Sequence, residues 1–239
     1  MKNLISDLSQ QKAVTVARIM YPIWMIVGYF GLQYEQSTFI VSGNASETAN
    51  KIMANETMYR LSIVAGLLEP IIFVLAALVL YQLFKSVSKN HASLMLVFVL
   101  ISAPITIIST LNHVAALLVL NGADYLKVFD TAQLQALSML FLNIYDKGIA
   151  IATIFWGLWL FPLGYLVYKS GYFPKFIGVL LTIAGFGFLL NPIAQLLLPV
   201  YQTTLISISD VLTLGEVLFI AWLLFMGAKV PIENIKKGV

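Results

Sequence analysis

The chain has 239 residues, 60% of them hydrophobic and only 10% charged, with a formal net charge of +3. Soluble domains carry about 25% charged residues, so this composition, with a mean hydropathy of +0.90, excludes a soluble globular domain and points to a polytopic membrane protein. The lack of cysteine excludes disulfides, thiolate metal sites and cysteine nucleophiles. The basic excess gathers at the ends of apolar runs, where it reports topology and not nucleic-acid binding.

The first dozen residues are polar and amphipathic and hold no cleavage pattern before the first apolar run, so the first span is expected to stay in the membrane. A hydrocarbon core needs about 20 residues of helix. Six runs meet that length, at about 13–32, 58–83, 92–120, 134–168, 176–198 and 205–228. A polar outer loop, 33–57, separates the first two, Asn121-Gly122 closes the third, and residues 169–175 form a compact turn after the fourth. Lys229 and Pro231 end the sixth. The expected fold is all-α: one membrane domain over 1–239, a bundle of six transmembrane helices with the fourth long and central.

Lysine and arginine placement sets the orientation. With the N-terminus inside, Lys2, Lys12, Lys85, Lys89, Lys169, Lys175, Lys229, Lys236 and Lys237 fall on the inner side, against Lys51, Arg60 and Lys127 outside. Both termini are therefore expected in the cytoplasm, with the protein in the plasma membrane. The triplets Asn44-Ala45-Ser46 and Asn55-Glu56-Thr57 read as ordinary loop polarity. Pro22, Pro70, Pro104, Pro162 and Pro192 lie within spans, where each frees a carbonyl one turn earlier and kinks its helix. Trp24, Trp156, Trp159 and Trp222 also lie within spans and read as an interfacial belt and lipid-facing bulk.

Ionisable groups inside the spans concentrate the functional signal, because each is costly in hydrocarbon unless partnered. Glu69, His113, Asp146, Lys147, Asp210 and Glu216 lie in the outer half to midplane of four helices, while Arg18 sits close enough to an end to snorkel. Asn143 precedes Asp146 by three and Lys147 by four, Asn191 and Gln195 are four apart, and Ser102, Thr106, Ser109, Thr110 and His113 form a polar stripe at helical spacing. Neighbours in a helix point about 100° apart, so Lys147 is expected to turn to Glu69 or Glu216, and Asp146 to His113 or the Asn191–Gln195 amides. The acids outnumber the bases, so at least one of Glu69, Asp210 or Glu216 should be protonated or face water. One intramembrane histidine and no His-x-x-x-His spacing argue against a metal, and no phosphate loop, dinucleotide fingerprint or Gly-x-Ser-x-Gly motif is present.

Residues 156–166, Trp-Gly-Leu-Trp-Leu-Phe-Pro-Leu-Gly-Tyr-Leu, and 169–175, Lys-Ser-Gly-Tyr-Phe-Pro-Lys, resemble a family signature, as do residues 178–185 and Gly215-Glu216. The chain is similar there to the six-helix membrane family known as domain of unknown function 4386. The resemblance implies a bacterial or archaeal integral membrane protein and no particular reaction. The residues themselves favour binding or transport of a small solute or proton in a polar, outward-facing intramembrane cavity. The candidates to line it are Glu69, His113, Asn143, Asp146, Lys147, Asn191, Gln195, Asp210 and Glu216, without cofactor or metal. The bilayer is the expected partner, with a small molecule or lipid as ligand and no nucleic acid. A membrane-embedded enzyme and a non-catalytic structural or regulatory subunit are the alternatives.

Overall fold

The computed structural model of the chain describes residues 9–231; Lys2, Lys236 and Lys237 of the topology count lie outside the described residues. Among the described residues, six helical segments are long and apolar enough to cross a membrane. The first is composite: α1 (Gln10–Gly28) runs through a π-helical stretch, Tyr29–Tyr34, into α2 (Glu35–Phe39). After α3 (Ala45–Ala54) come α4 (Glu56–Phe84), α5 (Lys89–Leu120), α6 (Thr131–Ser170), α7 (Lys175–Leu196) and α8 (Gln202–Phe225). The helix ends obey local chemistry. Ser9 caps α1 by accepting from the Lys12 amide, and Asp130 with Gln133 forms a capping box at the start of α6. Gly171 ends α6 in the left-handed region, at φ 69°.

The spans form a ring in the order α1, α4, α5, α6, α7, α8, and α8 returns to α1 along a shorter seam. Among the described residues no helix occupies the centre: α6, expected to be central, is a member of the ring, though the one packed most extensively on its neighbours. At 40 residues it is about 60 Å long, enough to project beyond the bilayer. The ring is filled by side chains, among them Phe73, Leu80, Leu83, Phe84, Trp159 and Phe219, all essentially inaccessible.

Small residues set how closely the ring closes. At the α1–α4 crossing a Cβ on Gly31 would lie 2.4 Å from the Gly66 amide nitrogen, so no larger residue fits without parting the helices. At the α6–α7 crossing, a Cβ on Gly164 would lie 2.7 Å from the Gly178 carbonyl oxygen, and the reverse distance is 2.6 Å. All five intraspan prolines sit inside continuous helices.

The connector 33–57 is not the irregular polar loop expected. Its first part extends the first span, and α3 folds back as an amphipathic cap with Thr48, Ala49 and Ile52 buried. Asn44 of the first Asn-x-Ser triplet is the N-cap of α3 and accepts from the Glu47 amide at 3.0 Å. Beneath the cap Phe39, Ile52, Tyr59, Ile63, Ala116, Leu117 and Leu142 form a second apolar cluster. This end of the bundle is thus roofed, and the other end gathers Lys12, Lys85, Lys89, Lys169, Lys175 and Lys229.

Candidate functional site

The polar residues expected to share one cavity separate into two buried groups and a set on the outside. The first buried group lies under the α3 cap. Its centre is Glu35, read from sequence as a loop residue and in fact fully buried, with an Oε1 2.9 Å from Nδ1 of His113. The π-helical stretch immediately before Glu35 explains the placement: each turn of that kind adds a residue and re-aims the side chains beyond it. Gly31, Glu35 and Phe39, four apart, then share the buried face. The His113 ring lies parallel to Tyr59 at 5.9 Å and against Tyr145 at 3.7 Å. Asp146, half-buried on α6, follows Tyr145 at the edge of this group.

The second buried group lies near the middle of the bundle. Glu69 on α4 and Glu216 on α8, 2% and 8% exposed, line a cavity of about 220 Å³. Trp24 Nε1 donates to Glu69 Oε1 at 2.5 Å. Glu69 Oε2, Glu216 Oε1 and the hydroxyl of the fully buried Tyr21 find no hydrogen-bond partner among the described residues. The walls are aromatic. Trp24 stacks on Phe73 with centroids 4.6 Å apart, Phe73 meets Trp159 edge-on at 5.0 Å, and Trp156 and Phe188 complete the lining. The mouth lies between α1 and α8, where Met25, Tyr29 and Val217 are exposed. Towards the lysine-rich end the same seam is closed by Tyr21 against Phe219 and by Arg18, which donates to the Leu224 carbonyl at 2.8 and 3.1 Å. The cavity therefore opens between α1 and α8 and not through the roofed end. The tryptophans read as interfacial bulk are, in three cases of four, its walls.

The remaining candidates do not join either group. Lys147 is exposed and meets neither Glu69 nor Glu216; its Nζ lies 3.4 Å from Gln195 Oε1, and Gln195 in turn donates to Asn191 at 2.8 Å. That chain links α6 to α7 on the outside of the ring. Asn143 and Asp210 are exposed, with Asp210 about 12 Å from the start of α8. The hydroxyls of the α5 stripe are buried but satisfied within their own helix: Ser102, Thr106, Ser109 and Thr110 donate to Val99, Ser102, Ile105 and Thr106 carbonyls. Ser109 is thereby turned away from His113, and the two do not form a nucleophile–base pair. Among the described residues no three His, Asp or Glu side chains converge as metal ligands.

Glu35 had one legible signal, its four-residue spacing from Gly31 and Phe39, obscured by the polar run around it. The tryptophan walls had another, since Trp156 and Trp159 lie three apart on α6 with Gly157 between them.

A family model described as a domain of unknown function, DUF4386, matches residues 16–227. The chain is also 35% identical over 168 residues, 70% of its own length and 85% of the relative's, to an uncharacterized protein of Archaeoglobus fulgidus. No solved structure matches it. With the match running through all six apolar spans, the chain belongs to the DUF4386 family of membrane proteins.

Proposed function

We propose that this multi-pass protein binds a small solute in the cavity between Glu69 and Glu216 and couples that binding to movement of solute or protons across the membrane. The observation that carries the reading is a pair of buried carboxyl groups lining one cavity, each with an oxygen that has no hydrogen-bond partner among the described residues. A carboxylate in that setting is costly until a proton or a cation neutralises it, so occupancy of the cavity and protonation of the pair are linked. Tyr145 packs against the His113 ring at 3.7 Å and so ties α6 to the Glu35 group at the capped end. The plasma membrane is the proposed location, with the lysine-rich end in the cytoplasm.

Liposomes loaded with a trapped pH dye and holding the purified chain test the reading. Under an imposed pH gradient, proton flux above that of protein-free liposomes is expected, and the double variant Glu69→Gln, Glu216→Gln should abolish it. Absence of flux at every gradient in either direction would remove the transport half of the proposal.

A further inference from the structure

The charge balance of the membrane interior leaves the Glu69–Glu216 cavity short of a cation. Away from the span ends the basic side chains are Arg18, His113 and Lys147, and each is engaged elsewhere. Arg18 is bound to the Leu224 carbonyl, Lys147 to Gln195, and His113 to Glu35. Glu69 is fixed in place by the Trp24 indole N–H, yet its second oxygen and one oxygen of Glu216 are buried with no partner among the described residues. Two acids facing one space repel an anion and, unless both carry a proton, leave a neutral ligand beside uncompensated charge.

The walls specify the cation further. Hard metal ions take six or more oxygen ligands, or keep much of their hydration shell, and a lining of Trp24, Phe73, Trp156 and Trp159 supplies neither. Tryptophan faces are instead the best side-chain partners for ammonium groups, which they attract through the ring quadrupole. A volume of about 220 Å³ lies below the 300–1,000 Å³ typical of drug-sized sites, so the ligand is small. The mouth is bordered by the apolar surfaces of Met25, Tyr29 and Val217, exposed by 41%, 61% and 49%, which suits a ligand with an apolar body arriving from the bilayer.

We infer that the cavity is a binding site for a small organic cation, a protonated amine or quaternary ammonium, that enters between α1 and α8. The inference rests on the proposed solute-binding function and names the ligand class for that same site. Glu69 and Glu216 supply the counter-charge, and Trp24, Trp156 and Trp159 hold the ammonium and its apolar substituents.

Three of the chain's four tryptophans line the cavity, so intrinsic fluorescence reads its occupancy. The experiment titrates the purified full chain in detergent with phenyltrimethylammonium and, separately, with tert-butylbenzene, which has the same shape without the charge. The cation is expected to give a saturable change, weakened at least about tenfold by Glu69→Gln or Glu216→Gln. Trp156→Leu should weaken it by roughly three- to tenfold, and Trp222→Phe, outside the cavity lining, should leave it unchanged. Equal affinity for tert-butylbenzene would overturn the cation assignment and leave a solute site in place. No saturable response to either compound would also overturn it, while the liposome flux decides the broader reading separately. If the carboxamide variants do not fold, Trp156→Leu carries the test alone: undiminished affinity there would overturn the inference.

Discussion

Removing the imidazole of His113 would leave the Glu35 carboxyl, 0% exposed, without the one basic group within 4 Å of it among the described residues. Breaking a buried pair from one side costs about 3–5 kcal/mol, because the remaining group stays desolvated and alone. His113→Leu should therefore lower the thermal midpoint of the protein in detergent by roughly 10 °C. The double variant Glu35→Met, His113→Leu should recover most of that loss, since apolar replacement of both partners is close to neutral. Failure of the double variant to recover would assign the destabilisation to lost packing against Tyr59 and Tyr145. Lys147 makes the opposite prediction. Its side chain is exposed and holds only a 3.4 Å contact to Gln195, so Lys147→Met should shift stability by less than about 0.5 kcal/mol. A shift as large as that of His113→Leu would show that Lys147 has a buried partner after all. From sequence the ranking is the reverse, because Lys147 lies between long apolar runs and Glu35 lies in a polar one.

At the scale of elements, the first span does the most to shape the site, and it was the least legible. Its π-helical stretch turns Glu35 inward, and its crossing with α4 at Gly31 and Gly66 allows Trp24 to reach Glu69. Gly31→Ala should force the helices apart, since the new Cβ would meet backbone of α4 at 2.4–2.8 Å, and should destabilise the protein by about 1–3 kcal/mol. Gly28→Ala is the milder comparison: its Cβ would meet no backbone, only Glu69 Cγ at 3.3 Å. Equal melting points for the two variants would contradict a close crossing at Gly31. The six spans were legible because each is a continuous apolar run of bilayer length. The compact turn at residues 169–175 was legible for a similarly local reason, its glycine and proline. The site was legible only in part. Composition shows that Glu69, His113 and Glu216 must find partners, but which face each presents depends on accumulated helical phase. One extra residue in a π-turn shifts that phase without leaving a mark in the apolar pattern. The tryptophans were misassigned for a related reason: belt and cavity wall draw on the same residue type, and only the ring geometry separates them.

On the scale of the whole molecule, charge divides the two ends of the ring. The lysine-rich end carries Lys12, Lys85, Lys89, Lys169, Lys175 and Lys229. At the capped end Lys51, Arg60 and Lys127 are each joined to an acid three or four residues earlier, Glu47, Glu56 and Asp124 respectively. Orientation depends on the count of lysine and arginine in short connections near the spans, with acids contributing little; on that count we propose that the lysine-rich end faces the cytoplasm and the α3 cap the outside. The chain lends itself to a direct test because it contains no cysteine, so a single introduced thiol has no background. Lys127 and Lys89 are both exposed and lie at opposite ends. With a membrane-impermeant maleimide on intact cells, the Lys127→Cys variant should be labelled at once, and the Lys89→Cys variant only after permeabilisation. The reverse pattern would place the α3 cap in the cytoplasm and invert the proposed geometry: the Glu35–His113 pair would then lie on the cytoplasmic side of the Glu69–Glu216 cavity. The lateral mouth between α1 and α8 would keep its depth in either case, because it is set by the ring and not by which end faces out.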